Sequence, residues 1–224
     1  ANLDTQRRTV LRAGAAFLGM TCIHAPALAL RAAGWEQGRS APQPEASDFW
    51  QVPRWVWLKR PETGESIRQM YWQDGRYSAE ACEAISWFMR DLRFERMLLK
   101  KSPVIDRALD TGRITRQHLS PWMMMDPVLL DILYAYSAWL QSFEMAKPIL
   151  LTSALRHVLT NEATEGAVRD SWHTKGGAAD IVIPEVPVAN AAAFGRWLSG
   201  GGVGLYASKR FVHLDRGRVR SWSS

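Results

Sequence analysis

The sequence predicts an α+β fold, a single domain in which helices pack against a small antiparallel sheet. Helical spacing of apolar residues dominates the chain between about residues 79 and 143, and short β-rich runs dominate it from residue 178 onward. The late strands are joined by short, turn-rich segments. Helices that come early and strands that come late favour an α+β arrangement over alternating βαβ units.

Composition places the chain among ordinary globular proteins. It has 224 residues, of which 47% are apolar and 22% are charged, and its formal net charge is +6. A basic balance suits an anionic partner. Because the Lys and Arg residues are scattered rather than clustered, we expect no nucleic-acid partner.

The first 48 residues predict a leader and a linker. Residues 1–29 combine Arg7-Arg8, a short apolar segment and the ending Ala27-Leu28-Ala29, as a Tat-type signal peptide does. The apolar segment is too short for a stable membrane span, so we expect no membrane insertion after cleavage. A buried or anchoring helix is the alternative. Residues 30–48 are rich in Gly, Pro and Ala and predict a flexible linker.

Cysteine usage agrees with export of a folded protein. Cys22 falls in the predicted leader, which leaves Cys82 alone in the remainder. A lone cysteine cannot form an internal disulfide, so the protein can fold in a reducing cytosol before export.

Several elements are predicted in the first half of the domain. Two β-rich runs at 55–59 and 67–72 flank a Pro-Thr-Gly segment and predict a hairpin. Ser78 is the expected N-cap of a helix over 79–100. Residues 101–122 carry Pro near both ends and predict a loop or lid segment.

The second half begins with a helix and ends with strands. Asp126-Pro127 combines a capping residue with Pro at the first helical position, and the helix is expected to run to about Phe143. A further helix is expected at 188–198, ended by glycines. Strands are expected at 148–153, 178–183, 203–206 and 210–214.

One stretch, SWHTKGGAAD at 171–180, indicates metal chemistry. His173 and Asp180 flank glycines that would let the loop fold back, and His213 follows on the last predicted strand. Two imidazoles and a carboxylate are a typical ligand set for Zn²⁺, with a fourth position left for water. A hydrogen-bonded structural role for each histidine is the alternative.

The same residues resemble a known family. The pattern S-x-H-x-x-G-x-A-x-D, followed by G-G-V-G-x-Y and F-V-H-x-D, is similar to the zinc D-Ala-D-Ala metallopeptidases, whose wider group includes lysostaphin-type enzymes and hedgehog domains. The nearer likeness is to the YcbK-like branch of murein endopeptidases. Segments upstream, such as PETGE, YWQDGRY and MMDPVLLDIL, extend the resemblance over about 55–222.

The resemblance implies a role for each residue of the site. It implies that His173, Asp180 and His213 bind zinc, and that Arg156 binds substrate or stabilises the oxyanion. Ala-Leu precedes Arg156 where the family has Gly-Tyr, so the resemblance does not determine which residues form the pocket wall.

Three further residues carry open alternatives. Asp215 lies two residues beyond His213 on the same strand face, so it is the general base, a residue that orients a ligand, or a purely structural residue. Ser171 and Tyr206 are candidates for substrate binding. Turn formation by Ser171 and half-buried packing by Tyr206 are the alternatives.

The resulting hypothesis is a zinc peptidase domain at 49–224 that hydrolyses cross-links between peptidoglycan stem peptides. We expect it to act as a monomer, exported through the Tat pathway to the periplasm or cell envelope. A D-Ala-releasing carboxypeptidase or dipeptidase is one alternative, and a non-catalytic cell-wall-binding domain is another.

Overall fold

A computed structural model describes residues 49–224, so the predicted signal peptide and linker lie outside the described residues. The centre of the structure is one eight-stranded sheet with the strand order β3-β2-β1-β4-β5-β7-β6-β8. The strands are β1 (Arg54–Lys59), β2 (Ser66–Gln73), β3 (Arg76–Tyr77), β4 (Ile149–Ser153), β5 (Ala178–Val182), β6 (Gly202–Tyr206), β7 (Phe211–Asp215) and β8 (Arg220–Ser223).

Most neighbouring strands are antiparallel, and the expected α+β class is confirmed. β1 with β4 and β6 with β8 form the two parallel pairings of the described sheet. In the antiparallel pairing of β5 with β7, Asp180 lies opposite His213 and Ala178 lies opposite Asp215. The register therefore brings residues that are far apart in sequence to one place on the sheet.

Within residues 49–224, six α-helices pack around this sheet. They are α1 (Ala79–Phe88), α2 (Leu92–Leu99), α3 (Pro103–Asp110), α4 (Pro127–Gln141), α5 (Val158–Glu162) and α6 (Val188–Leu198). Their starts follow the expected capping chemistry where the sequence signals it. The Ser78 side chain accepts from the Ala81 N–H before α1, and Asp126 accepts from the Val128 N–H before α4.

The single helix expected over 79–100 is wrong, because the chain forms two helices there. The Asp91 side chain accepts hydrogen bonds from the N–H groups of Arg93 and Phe94 and so begins α2. The other Asp91 carboxylate oxygen accepts from the His157 N–H at 2.8 Å. Helical periodicity runs through the break because Met89 and Leu92 are both buried.

The loop or lid expected over 101–122 is also wrong over residues 103–110, which form α3. Ser102 caps α3, and Pro103 stands at the first helical position, where its missing N–H costs no hydrogen bond. This segment helps to form a second, smaller core. The core contains Phe94, Ile105, Ala108, Ile114 and Leu159. Pro103 therefore marks a helix start rather than an irregular segment.

The main core lies between the sheet and the helices α1, α4 and α6. Residues of α4 contact β1, and residues of α6 contact β6 and β7. Cys82 is buried in this core, as expected for a small apolar side chain. The short elements β3, α5 and β8 were not expected from the sequence. Within 49–224, no helix is both long enough and apolar enough to cross a membrane.

His157 lies at the start of α5 and packs against the smaller core. Its ring stacks on Phe94 with 3.6 Å between the ring centroids. Its Nδ1 accepts a hydrogen bond from the Leu159 N–H at 3.2 Å, so this nitrogen carries no proton. Burial lowers the pKa of His157 to about 4, although the nearby Asp91 acts in the opposite direction.

We expect His157 to make the fold sensitive to acid. The unfolded chain takes up a proton near the ordinary histidine pKa of about 6.5, whereas the folded chain resists it until about pH 4. The contribution of His157 is therefore complete above pH 6.5 and is lost as the pH falls towards 4. Urea unfolding from pH 7 to pH 4 should show a shallower loss of unfolding free energy in His157→Gln than in the wild type.

The control is Lys209→Gln, which changes an exposed side chain, leaves every histidine in place and should keep the wild-type slope. Equal slopes for the wild type and His157→Gln would contradict this account of His157.

Candidate metal centre

A short 3₁₀ turn presents His173. The turn spans Trp172–Lys175, and the Ser171 hydroxyl oxygen accepts from the His173 N–H at 3.2 Å. The turn ends at Gly176, whose φ of 68° lies in the left-handed region that favours glycine. The expected folding back of the glycine loop is therefore confirmed.

The sheet presents the other two candidate ligands. Asp180 on β5 and His213 on β7 are direct cross-strand partners, so their side chains leave the same face of the sheet. Both side chains lie deep in the protein, as does that of His173. The exposed fractions of the side chains are 3% for His173, 5% for Asp180 and 12% for His213.

His173, Asp180 and His213 each contribute one donor atom, and these three atoms lie close to one another. His213 Nδ1 lies 2.9 Å from Asp180 Oδ1 and 3.1 Å from His173 Nε2. His173 Nε2 lies 3.2 Å from Asp180 Oδ1. The three atoms form a small, nearly equilateral triangle that a single cation can contact.

Hydrogen bonds on the far side of each ring determine which nitrogen faces the triangle as an acceptor. His173 Nδ1 lies 2.5 Å from the Ala154 carbonyl oxygen, to which it can only donate. His213 Nε2 lies 3.0 Å from Asp215 Oδ2, which in its ionised form also only accepts. The neutral rings therefore direct two nitrogen lone pairs towards a carboxylate oxygen.

This donor set fits a zinc ion. With bonds of 2.0–2.1 Å, tetrahedral ligands lie about 3.3 Å apart, close to the separations in the triangle. Lone pairs this close repel one another unless a cation lies between them. A proton on His213 Nδ1 would relieve only some of the contacts, whereas a divalent cation would bind all three donors.

The two carboxylates near the triangle are ionised at neutral pH. Burial alone would raise the pKa of Asp180, but His173 and His213 hold it well below its usual range. Burial acts in the same way on Asp215, and hydrogen bonds from His213 and Arg220 nevertheless lower its pKa to about 2.

Asp215 is fully buried and its oxygens are fully engaged. Oδ2 contacts His213 and accepts from Arg220 Nη2 at 2.8 Å. Oδ1 accepts from the Gly217 N–H at 2.7 Å and from Arg220 Nη1 at 3.0 Å. A general base needs a free lone pair facing the reaction, so these contacts favour the orienting alternative for Asp215.

Arg156 lies beside the triangle. Its guanidinium donates to Asp180 Oδ2, the oxygen that faces away from the histidines, and its Nε donates to Ser153 Oγ at 2.9 Å. Burial is the main cause that lowers the pKa of Arg156, and Asp180 acts against it. Arg156 therefore positions the candidate ligand Asp180 and also lines an adjoining cavity.

The structure separates the two candidate substrate-binding residues from the donor triangle. Ser171 is buried and caps the turn that carries His173, which matches the turn-forming alternative. The ring of Tyr206 stacks on Phe211 with 4.4 Å between the ring centroids, and its hydroxyl accepts from Trp222 Nε1 at 3.3 Å. Tyr206 thus reaches His213 through Trp222, whose ring centroid lies 5.3 Å from that of the imidazole.

Sequence reasoning missed two groups that hold the centre. The Ala154 carbonyl orients His173, and no side-chain pattern could have revealed a backbone acceptor. Arg220 binds both oxygens of Asp215. The run of alternating arginines after Asp215 was the available signal, since a buried carboxylate on a strand needs a cation nearby.

The His-Asp-His triangle consists of the residues that the resemblance to zinc D-Ala-D-Ala metallopeptidases implies as ligands. Residues 112–222 match the profile of the family described as peptidoglycan L,D-endopeptidase MepK. The chain is therefore similar to this family over the part that holds the donor triangle.

Curated relatives are similar to between about half and nearly all of the chain. The peptidoglycan L,D-endopeptidase MepK of Escherichia coli K12 is 29% identical over 223 residues, which cover 98% of each protein. A probable MepK of Haemophilus influenzae is 29% identical over 131 residues, or 58% of this chain and 66% of that protein. No solved structure is significantly similar to the chain.

Close packing between the chain at the start of β6 and the end of β7 holds the backbone of Asp215 in place. Gly201 is the residue at which this packing leaves no room for a side chain. A Cβ at Gly201 would overlap the carbonyl oxygen of Asp215, a backbone atom that cannot rotate away. We expect Gly201→Ala to lower the free energy of unfolding by about 1–3 kcal/mol or more in urea titrations.

Gly64→Ala provides the comparison, because Gly64 has open space around its Cα and only its positive φ opposes a side chain. A loss in Gly201→Ala no larger than that in Gly64→Ala would contradict the close contact at Asp215.

Proposed function

We propose that this chain is a zinc-dependent peptidoglycan peptidase that hydrolyses cross-links between stem peptides. The observation that carries the proposal is the convergence of His173 Nε2, His213 Nδ1 and Asp180 Oδ1 within 3.2 Å of one another. The relatives' name, L,D-endopeptidase, favours a bond between an L-configured and a D-configured residue.

In this proposal His173, His213 and Asp180 hold the zinc ion. The bound ion supplies Lewis-acid chemistry, which polarises the scissile carbonyl and lowers the pKa of water. The protein fixes its three donors before the metal arrives, because the Ala154 carbonyl and Asp215 hold the two rings in the ligand tautomer. Such preorganisation reduces the cost of binding the ion.

Arg156 contributes a positive charge beside the reacting centre. One face of its guanidinium is held by Asp180 and Ser153, so the group cannot swing away. We propose that it orients Asp180 and presents its remaining N–H groups to substrate, where developing negative charge would be stabilised.

Asp215 and Ser171 act through the ligands in this account, and Tyr206 lies at the rim. Asp215 orients His213, and Ser171 shapes the turn that carries His173. Tyr206 supports the Trp222 ring that packs beside His213, and we propose that it borders the substrate rather than the metal.

The proposed setting is the cell envelope. A Tat-type signal peptide at 1–29 and a linker at 30–48 would deliver the domain, already folded, to the periplasm, where peptidoglycan lies. We propose that the domain works as a monomer.

The D-Ala-releasing carboxypeptidase and the non-catalytic wall-binding domain remain the alternatives. The endopeptidase is favoured over the first by the names of the relatives and over the second by the intact donor triangle.

Digestion of purified sacculi separates these three functions. We expect the full chain with zinc to remove cross-linked dimers, as resolved by mass spectrometry of the released fragments. His173→Ala should lose stoichiometric zinc and at least 100-fold of the cleavage rate, because the ion loses one of three protein ligands.

His118→Ala removes an exposed histidine and should keep both zinc and activity. Release of terminal D-Ala alone would favour the carboxypeptidase, and zinc binding without any cleavage would leave only the binding domain. Unchanged zinc content in His173→Ala would refute the proposed site.

Asp215→Asn tests the orienting role against the role of general base. The change weakens the hold on His213, and we expect zinc affinity to fall by about 10- to 100-fold in a chelator competition. If Asp215 only positions His213, excess zinc should restore most of the cleavage rate, whereas the loss of a base would persist at saturating metal.

Asp106→Asn, at an exposed position on α3, should leave zinc affinity unchanged. An Asp215→Asn variant with normal zinc affinity and a permanently low rate would show that Asp215 is the base.

A further inference from the structure

A positively charged cavity adjoins the donor triangle. It has a volume of about 280 Å³ and lies between the end of β4 and the start of α2. Arg156 and Ala154, which hold Asp180 and His173, also form part of its wall. Its charged lining residues are Arg60, Arg90, Arg93, Arg156, Glu62 and Asp91.

The two acidic residues in this wall already have hydrogen-bond or salt-bridge partners. Asp91 accepts from the backbone N–H groups of Arg93, Phe94 and His157 and from the Thr160 hydroxyl. Glu62 pairs with Arg96 on the outer surface of α2. Neither carboxylate forms a salt bridge with an arginine of the cavity wall, although both favour the charged form of Arg60 from a greater distance.

Two of the four arginines are likewise satisfied by acidic partners. Arg90 pairs with Glu65 and Glu95, at 3.0 and 2.9 Å. Arg156 pairs with Asp180. Within residues 49–224, neither Arg60 nor Arg93 has a carboxylate within salt-bridge distance. Positive charge in the wall thus exceeds negative charge at these two positions.

Arg60 is a fixed source of this positive charge. It is 4% exposed, and it donates to the backbone carbonyls of Phe88 and Arg90 at 2.8 and 2.6 Å. Burial, together with the charge of Arg90, lowers the pKa of Arg60 to about 10, so the guanidinium stays charged at neutral pH. Glu65, Glu62 and Asp91 oppose part of this lowering from beyond salt-bridge distance, and a buried arginine without a salt bridge favours an anion nearby.

Arg93 is an arginine of the same cavity wall that solvent can reach. Its side chain is exposed, and its Nη2 donates to Thr164 Oγ1 at 2.9 Å. The Thr164 hydroxyl in turn donates to the Thr160 carbonyl at 2.7 Å. Its oxygen is therefore left as an acceptor for the hydrogen bond from Arg93. Thr164 therefore positions the guanidinium at the cavity and leaves its other N–H groups available to a ligand.

We propose that Arg93, with Arg60 behind it, forms a carboxylate-binding subsite for the peptide that the metal centre cleaves. The inference rests on the proposed function and specifies its substrate class as peptides with a free carboxylate near the scissile bond. An arginine fork binds a carboxylate through two parallel hydrogen bonds, and an amide in the same place loses both the charge and one acceptor.

The test measures binding without cleavage. Monomeric muropeptides from a muramidase digest are N-acetylated, and one half is then amidated at its carboxylates with carbodiimide and ammonium. Isothermal titration of the zinc-loaded full chain should show at least about tenfold tighter binding of the free acids. Arg93→Gln should lose most of this preference, and Arg93→Lys should keep part of it.

Thr164→Val keeps the shape of Thr164 and removes the acceptor, so it should weaken the preference while leaving the Arg93 charge in place. Arg107→Gln is the matched control, because Arg107 is an exposed arginine on α3 outside the cavity, and it should bind like the wild type. Thermal unfolding of each variant verifies that its fold is intact.

Equal binding of free and amidated muropeptides by the wild type, or a full preference retained in Arg93→Gln, would overturn the subsite. Failure of the proposed function looks different, because sacculi would then stay cross-linked while the Arg93-dependent preference persisted. Cleavage of sacculi with no effect of Arg93→Gln on either rate or preference would leave the peptidase and remove the subsite.

Discussion

The centre of this structure depends on one electrostatic constraint, the meeting of His173, Asp180 and His213 at a single point. Two imidazole nitrogens and a carboxylate oxygen lie within 3.2 Å of each other in a buried location. When both facing nitrogens are unprotonated, these groups repel one another without a cation, and the interior offers little water to relieve the repulsion. The surrounding polar groups hold the three donors in place for such a cation.

The donor atoms are held by backbone and side-chain groups that contact them, and one of these groups is held by a further residue. The Ala154 carbonyl holds His173, Asp215 holds His213, and Arg156 holds Asp180. Arg220 then neutralises the buried Asp215. Because β6 and β7 approach so closely at Gly201, the position of Asp215 is determined by packing as well as by charge. The same arginine that holds Asp180 also lines the cationic cavity, so the proposed carboxylate subsite and the donor triangle share a wall.

Much of this could be predicted from the sequence, because local rules determine it. The SWHTKGGAAD stretch and the later His213 predicted which three residues meet in the triangle, and the caps Ser78 and Asp126 predicted two helix starts. The break at Asp91 could not be predicted from periodicity, since the apolar spacing continues across it. The choice between base and orienting residue for Asp215 required its hydrogen-bond partners, which come from distant parts of the chain. The cavity combines β4 with α2, a contact that no local pattern reveals.

Zinc K-edge X-ray absorption on the purified full chain tests the central claim most directly. The account predicts one zinc per chain, with a four-coordinate shell of nitrogen and oxygen at about 2.0–2.1 Å and the multiple-scattering pattern of two imidazoles. A shell of oxygen alone, a sulfur contribution, or a spectrum unchanged in a variant that lacks both His173 and His213 would contradict it.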